Sequence, residues 1–202
     1  MKRLFILVSA LFLAGCPMLL ADGFRHPAQE IEAITMSAQL PSFNYSGDYK
    51  RAAVGFRSCR HVPVAELAAS EARIGGVRID PLNFSETREN YFDGLRLFDV
   101  ASGNFRDIKG LPGDLRVKFL TWSPGGRYLA FTLSFPDHVE LWRVDAEAVV
   151  PEAEKLTAVR VNTIFGTPLF FLDDDHILFK AVPDDHRQAP RQTIARSSVV
   201  QE

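Results

Sequence analysis

Residues 121–133 read TWSPGGRYLAFTL, and this stretch decides the fold. Its pattern is strand, tight turn, strand. Trp122 closes one extended run. Ser123, Pro124, Gly125 and Gly126 then form a turn, with proline presetting φ at the second position and Gly125 expected to take positive φ at the third. From Arg127 the side chains alternate. Tyr128, Ala130 and Thr132 fall on one face, and Leu129, Phe131 and Leu133 on the other. Both faces are largely apolar, so the strand needs cover on both sides.

The pattern recurs. Residues 44–54, NYSGDYKRAAV, carry an aromatic, a serine, a glycine turn, a basic residue and an apolar strand. Residues 170–179, FFLDDDHILF, repeat it with Asp at the turn, another residue tolerant of turn backbone. A second motif also repeats, Leu95-Arg96-Leu97-Phe98-Asp99-Val100 matching Val139-Glu140-Leu141-Trp142-Arg143-Val144. Trp122 and Phe171 are 49 residues apart, Leu97 and Leu141 are 44. Periods of about 40 to 50 residues with four short strands each predict propeller blades. The expected fold class is therefore all-β, a partial β-propeller of two to three four-stranded blades with a short helical insertion.

Working outward, the chain divides as follows. Residues 1–21 are a leader: Lys2 and Arg3, an apolar run, then Leu13-Ala14-Gly15-Cys16. That tetrad resembles a bacterial lipobox with Cys16 as the lipidated residue. Signal cleavage after Ala21 and an uncleaved membrane helix are the other readings, and all three predict export. Residues 22–56 hold a lead-in segment and the first blade strand, with a short helix inside residues 24–40 begun near Pro27 and striped by Ile31 and Ile34. Residues 57–90 are an insertion, with a helix expected over residues 64–73 and stopped by Gly75-Gly76. Residues 91–182 are propeller blades, with strands expected at 95–100, 105–108, 117–122, 139–144, 155–159, 164–171 and 177–182. Residues 183–202 are a polar irregular tail.

Composition is globular at 47% apolar and 24% charged residues, and the net charge is −2, or −4 without residues 1–21. Dispersed basic residues on a mildly acidic chain argue against a nucleic-acid partner. Cys59 is left without a mate if Cys16 is lipidated or removed, and reads as a buried thiol.

The residues quoted above carry a resemblance. The Trp-Ser-Pro-Gly-Gly-Arg turn is similar to the Trp-Ser-Pro-Asp-Gly-basic repeat of TolB-like propellers and prolyl-oligopeptidase-type serine peptidases, with Gly125 standing where Asp is usual. ELAASEARIGGVRIDP (residues 66–81) and YFDGLRLFDVASG (residues 91–103) resemble the N-terminal propeller of the glutamyl endopeptidase-like branch of that peptidase family, and residues 24–31 resemble its lead-in. The resemblance covers residues 24–202. It implies an access-gating propeller in front of an α/β-hydrolase domain, with the present chain expected to stop two to three blades in.

No catalytic residue is carried over, because the chain has no Gly-x-Ser-x-Gly elbow. Ser42, Ser58, Ser102, Ser123 and Ser134 lack that setting. His26, His61, His138, His176 and His186 read as turn or surface residues. Asp173 to Asp175 with His176, and Asp184 and Asp185 with His186, do not have calcium-loop spacing and read as turn chemistry. Arg57, Arg60 and Arg73 read as a solvated basic rim, or as carboxylate binders if they face the propeller mouth. No cofactor and no metal are implied. The partners implied are peptides or a missing catalytic domain, the membrane only through the signal or lipid anchor, and further copies of the chain through unpaired blade edges. The alternative is a stand-alone exported TolB-like propeller working by protein contact.

Overall fold

The computed structural model describes residues 27–58, 62 and 64–183. Cys16, Cys59, Arg60, His26, His61, His186, residues 1–21 and residues 184–202 lie outside the described residues. The chain divides into two compact units, residues 1–35 and 36–202.

The first unit contributes α1 (Gln29–Thr35). Glu30 and Glu32 sit in its first turn, where a carboxylate favours the positive end of the helix dipole. The Thr35 hydroxyl donates to the Ile31 carbonyl at 2.8 Å.

The second unit is built from antiparallel sheets, none of them closed into a barrel. Sheet 1 comprises β1 (Ser42–Tyr45), β2 (Arg51–Phe56), β6 (Gly94–Asp99) and β7 (Asn104–Asp107), in that order. Sheet 2 comprises β8 (Val117–Trp122), β9 (Tyr128–Ser134), β10 (Val139–Asp145) and β11 (Ala153–Lys155), again as an up-and-down meander. A two-stranded sheet, β12 (Leu169–Phe171) and β13 (Ile177–Phe179), follows. The insertion between β2 and β6 holds α2 (Val64–Leu67) and a small sheet of β3 (Ala72–Ile74), β4 (Val77–Asp80) and β5 (Ser85–Glu86).

The all-β expectation stands. Within it, several elements differ from the sequence reading. The helix expected over residues 64–73 stops at Leu67, because Ala72–Ile74 pairs with β4 across Gly75-Gly76. Both glycines have positive φ, +57° and +86°, the two-residue hairpin turn whose twist matches its strands. The pair is thus a hairpin tip rather than a helix stop. The strands expected at 155–159, 164–171 and 177–182 are shorter or shifted, and Val161 and Ala181 meet in an isolated bridge.

The core follows from the alternation in β9. Leu129, Phe131 and Leu133 pack with Val117 and Val144 against Ala53, Leu95 and Leu97 of sheet 1. Ala130, with Val139 and Leu141, faces Val161 and Leu169, bordered by Phe171, Ile177 and Phe179. Sheet 2 is therefore covered on both faces, as its apolar alternation demands.

A bulge in β8 serves both sides. Lys118 pairs with Thr132 and Thr121 with Ala130, so Phe119 and Leu120 together oppose Phe131. Phe119 takes a φ of 53°, an unusual backbone for an aromatic residue. The extra residue sends Leu120 to the sheet 1 side and Phe119 to the other. In sheet 1, Gly55 makes room for the Phe92 ring, which would lie 2.4 Å from a Cβ there.

Candidate functional site: a row of turns and a cleft beneath the insertion

The turn at residues 123–126 is held by backbone and side chain together. The Gly126 N–H donates to the Ser123 carbonyl at 2.9 Å, and the Ser123 N–H to the Tyr128 carbonyl at 2.8 Å. The Ser123 hydroxyl oxygen accepts from the Tyr128 N–H at 3.1 Å. The residue with positive φ is Gly126, at 72°, not Gly125. This corrects the sequence expectation. The turn is a type I turn followed by a left-handed residue, and the correction frees Gly125 for a different reason to be glycine.

That reason is a carboxylate from the next turn. A Cβ on Gly125 would lie 2.3 Å from Asp174 Oδ2, and the Gly125 N–H donates to Asp174 Oδ1 at 2.8 Å. The Ser123 hydroxyl, then this N–H, hold the Asp174 carboxyl below the usual carboxylate range.

The turn between β1 and β2 solves the same problem internally. Its Ser46 N–H donates to the Arg51 carbonyl and Tyr49 N–H to the Ser46 carbonyl, each at 2.9 Å. Ser46 Oγ accepts from the Arg51 N–H at 3.1 Å. Tyr49, φ 57°, matches Gly126, and Asp48 matches Gly125. Ser46 donates to Asp48 Oδ1 at 2.7 Å, which with the Lys50 N–H lowers the Asp48 pKa. Asp174 thus supplies from a neighbouring turn the carboxylate that Asp48 supplies from within its own.

The three turns lie side by side. Asp48 Oδ1 would be 3.3 Å from a Cβ on Gly126, and Arg51 donates to the Gly126 carbonyl at 3.1 Å. Trp122 donates its indole N–H to the Asn44 carbonyl at 2.9 Å, tying sheet 2 to sheet 1. Beside the row is an open groove of about 490 Å³. Its guanidinium groups are already engaged: Arg51 with Glu147 at 2.9 Å, Arg106 with the carbonyls of Ala146 and Ala148. These arginines fasten sheet 1 to the end of β10.

At the other end of β9 a cleft of about 470 Å³ opens between the insertion and sheet 2. Asn83 donates to the Phe135 carbonyl at 3.2 Å, and its Oδ1 accepts from the Ser85 hydroxyl at 2.7 Å. Burial, then the nearby Glu89 carboxylate, pushes the Tyr91 phenol up to about 12. Burial likewise raises Glu89, which pairs with Lys118. In the insertion, Glu71 binds Arg73, Arg78 and Arg88 and drops to about 2, chiefly through Arg73.

The candidate residues read from the sequence separate in space. Arg57 is no part of a solvated rim: its guanidinium lies 4.2 Å from the centre of the Phe92 ring and donates to the Tyr91 carbonyl. Arg73 is taken by Glu71. His138 stacks on Phe135 and lies between Asp137 Oδ1 at 2.7 Å and Glu140 Oε1 at 3.0 Å, so both ring nitrogens face carboxylates. His176 bonds Asp173. None of Ser42, Ser58, Ser102, Ser123 and Ser134 is hydrogen-bonded to a described histidine; Ser58 donates to Asp93 and Ser102 to Asp99. The carboxylates of Asp173 and Asp174 diverge, the first onto the N–H groups of Asp175 and His176, the second onto Gly125. Among the described residues no cluster of three or more His, Cys, Asp or Glu side chains could hold a metal ion, and no helix is long and apolar enough to cross a membrane.

Sequence reasoning missed the Asp174–Gly125 contact and the Glu71 hub. The first was signalled by the glycine at the position where the related turn has Asp. The second was hidden because EARIGGVR was read as the end of a helix rather than as a hairpin.

The structure defines a class, a series of antiparallel meander sheets packed face to face. No protein-family model matches the chain. Two curated proteins do: "Probable glutamyl endopeptidase, chloroplastic" of Arabidopsis thaliana, 25% identical over 189 residues, and the protein of the same name from Oryza sativa subsp. japonica, 28% identical over 184. The alignments take in 88% and 84% of this chain but 19% of each relative. The chain thus spans about a fifth of the length of the curated relatives it matches.

Proposed function

We propose that residues 36–183 are the opening blades of a β-propeller, and that they act as the access-gating, N-terminal part of a prolyl-oligopeptidase-type peptidase. The observation that carries this reading is the repetition of one sheet design. Sheets 1 and 2 share strand order, the Ser-centred turn and the direction of packing. The match to a fifth of two glutamyl endopeptidases supports it. In this role none of Ser42, Ser58, Ser102, Ser123 and Ser134 acts as a nucleophile. Acyl transfer needs a serine activated by a histidine beside an oxyanion hole, and the Ser123 and Ser134 hydroxyls sit instead in turn and cleft networks.

The test is incubation of the purified chain with peptide libraries, including Glu-containing ones, and with a serine-reactive fluorophosphonate. The expected result is neither turnover nor labelling. Turnover that co-purifies with the chain, with one labelled serine whose change to alanine abolishes both, overturns the reading.

Export belongs to the same proposal. An acylated Cys16 would tether the protein to a membrane, at about 0.8 kcal/mol for each buried methylene. Cys16→Ser should release the chain or block its processing. An intact mass for an unmodified chain starting at Asp22 overturns lipidation. The alternative, a stand-alone propeller-like protein that binds other proteins, is favoured by the open aromatic face of sheet 1, where Phe43 and Tyr45 are 42% and 47% exposed.

A further inference from the structure

The insertion returns to sheet 2 through residues 87–92. The Thr87 N–H donates to the Arg78 carbonyl at 3.0 Å, and Phe92 and Val117 exchange two backbone hydrogen bonds of 2.9 Å each. Between these ties stands Glu89, whose side chain is only 5% exposed. Its Oε1 accepts from the Lys118 ammonium of β8. Its Oε2 is buried and has no hydrogen-bond partner among the described residues. Buried polar atoms are as a rule satisfied, so a bare one at the junction of two elements calls for a reason.

The charges around Glu89 leave that oxygen uncompensated. Lys118 is the cation that acts on it among the described residues, and Glu86 of β5 adds a like charge. The Tyr91 phenol faces the carboxyl from the same segment, and Glu66 of α2 acts in turn on Tyr91. Arg88, next in the chain, pairs with Glu71 instead. Lys118 is itself held in place. Its carbonyl accepts from the Thr132 hydroxyl at 3.1 Å, and its ammonium lies 4.8 Å from the centre of the Phe119 ring at the bulge. One ammonium on Oε1 leaves negative charge on Oε2 away from water. A proton on Oε2 removes that charge and keeps the bond from Lys118 to Oε1.

We propose that Glu89 is a proton-operated latch between the insertion and sheet 2, closed when Oε2 carries a proton and loosened when it does not. Burial outweighs Lys118 and holds the Glu89 carboxyl above its ordinary 4.5. The latch contribution is therefore full below 4.5 and is lost as pH rises through the folded value. An ordinary salt bridge behaves in the opposite way and weakens in acid. What the latch holds is one wall of the cleft, since Glu86, Thr87, Arg88 and Tyr91 line it from this segment. Acid fastens that wall to β8, and its release widens the cleft.

Hydrogen exchange of the full chain, corrected for the intrinsic rate at each pH and read by mass spectrometry, tests this. Peptides covering residues 85–92 are compared with peptides from β9, which serve as the internal reference. Protection of residues 85–92 relative to that reference should fall as pH is raised from about 5 to about 8. Glu89→Gln, neutral at every pH, should stay protected across the range. Lys118→Met should lose roughly tenfold or more of the protection at the alkaline end and regain it in acid, where Glu89 takes up its proton. Circular dichroism checks that each variant keeps its sheet content. Protection that is flat or rises with pH, a Glu89→Gln chain that opens as Lys118→Met does, or a Lys118→Met chain that stays open in acid each overturns the proposal.

Discussion

Sheets 1 and 2 have the same strand order and the same turn, yet they differ in cover. In sheet 2, β9 is buried from Leu129 to Ser134 and both faces have a partner. In sheet 1, β2 is buried only at its centre, and its backward face is roofed by its own aromatic side chains. Ala52 and Val54 reach zero exposure beneath those rings. A repeat can thus preserve backbone design while its side chains adapt to what lies next to it: Trp142 is packed into a core where Phe98 tops an open face.

The largest expected effect breaks the better-covered sheet. Phe131 is fully buried between sheets 1 and 2, so Phe131→Ala should cost about 3 to 5 kcal/mol in urea unfolding. A loss below about 1 kcal/mol would mean the sheets do not pack as described. The comparison sharpens with matched positions. Trp142→Ala should fall near about 3 kcal/mol, whereas Phe98→Ala, at the corresponding place on the open face, should cost clearly less in the monomer. Equal losses would show that the open face is covered in solution.

The two turns allow a reciprocal swap. Asp174→Ala and Gly125→Asp should each lower the melting temperature, the first by freeing Ser123 and the Gly125 N–H, the second by crowding Asp174. Combined, they should recover much of the loss, because an aspartate at 125 can bond its own turn serine as Asp48 does. Additive losses in the double-mutant cycle would refute the equivalence of the turns.

The smallest effect is a pH dependence at the far end of β10. Burial lowers the His138 pKa, but the hydrogen bonds to Asp137 and Glu140 outweigh it and the net shift is upward from 6.5. Burial raises Glu140, but Lys155, His138 and Trp142 together hold it below 4.5. The His138 contribution is full below 6.5 and is lost as pH rises through its folded value. The Glu140 contribution is full above 4.5 and is lost as pH falls through its own. Their joint contribution should therefore be greatest between those values, and His138→Gln should flatten the alkaline limb of a melting-temperature profile. An unchanged limb would remove His138 from the account.

Much of this architecture was legible. The alternation after Arg127 gave a strand covered on both sides, and the matching of LRLFDV with VELWRV gave two sheets of one design. What the sequence concealed depends on contacts between distant residues. Nothing local says that Asp174 reaches Gly125, 49 positions away. The helix ending after Leu67 was overrun because alanine and glutamate favour helix, while the pairing of Ala72 with Ile79 is decided by the glycine hairpin between them. Arg57 looked solvated because its stacking partner, Phe92, comes from another strand region. At the candidate sites, residue types were readable but their commitments to one another were not.

The carboxylate shared between two turns also sets an order of events for change by mutation. With Asp174 in place, aspartate at position 125 enters an occupied space. Once Asp174 has been lost, the same substitution fills a vacancy left beside Ser123. The route by which this turn could come to resemble its neighbour is therefore directional: the third turn must change first, and a screen of single substitutions at position 125 alone would score as harmful a residue that the turn can use.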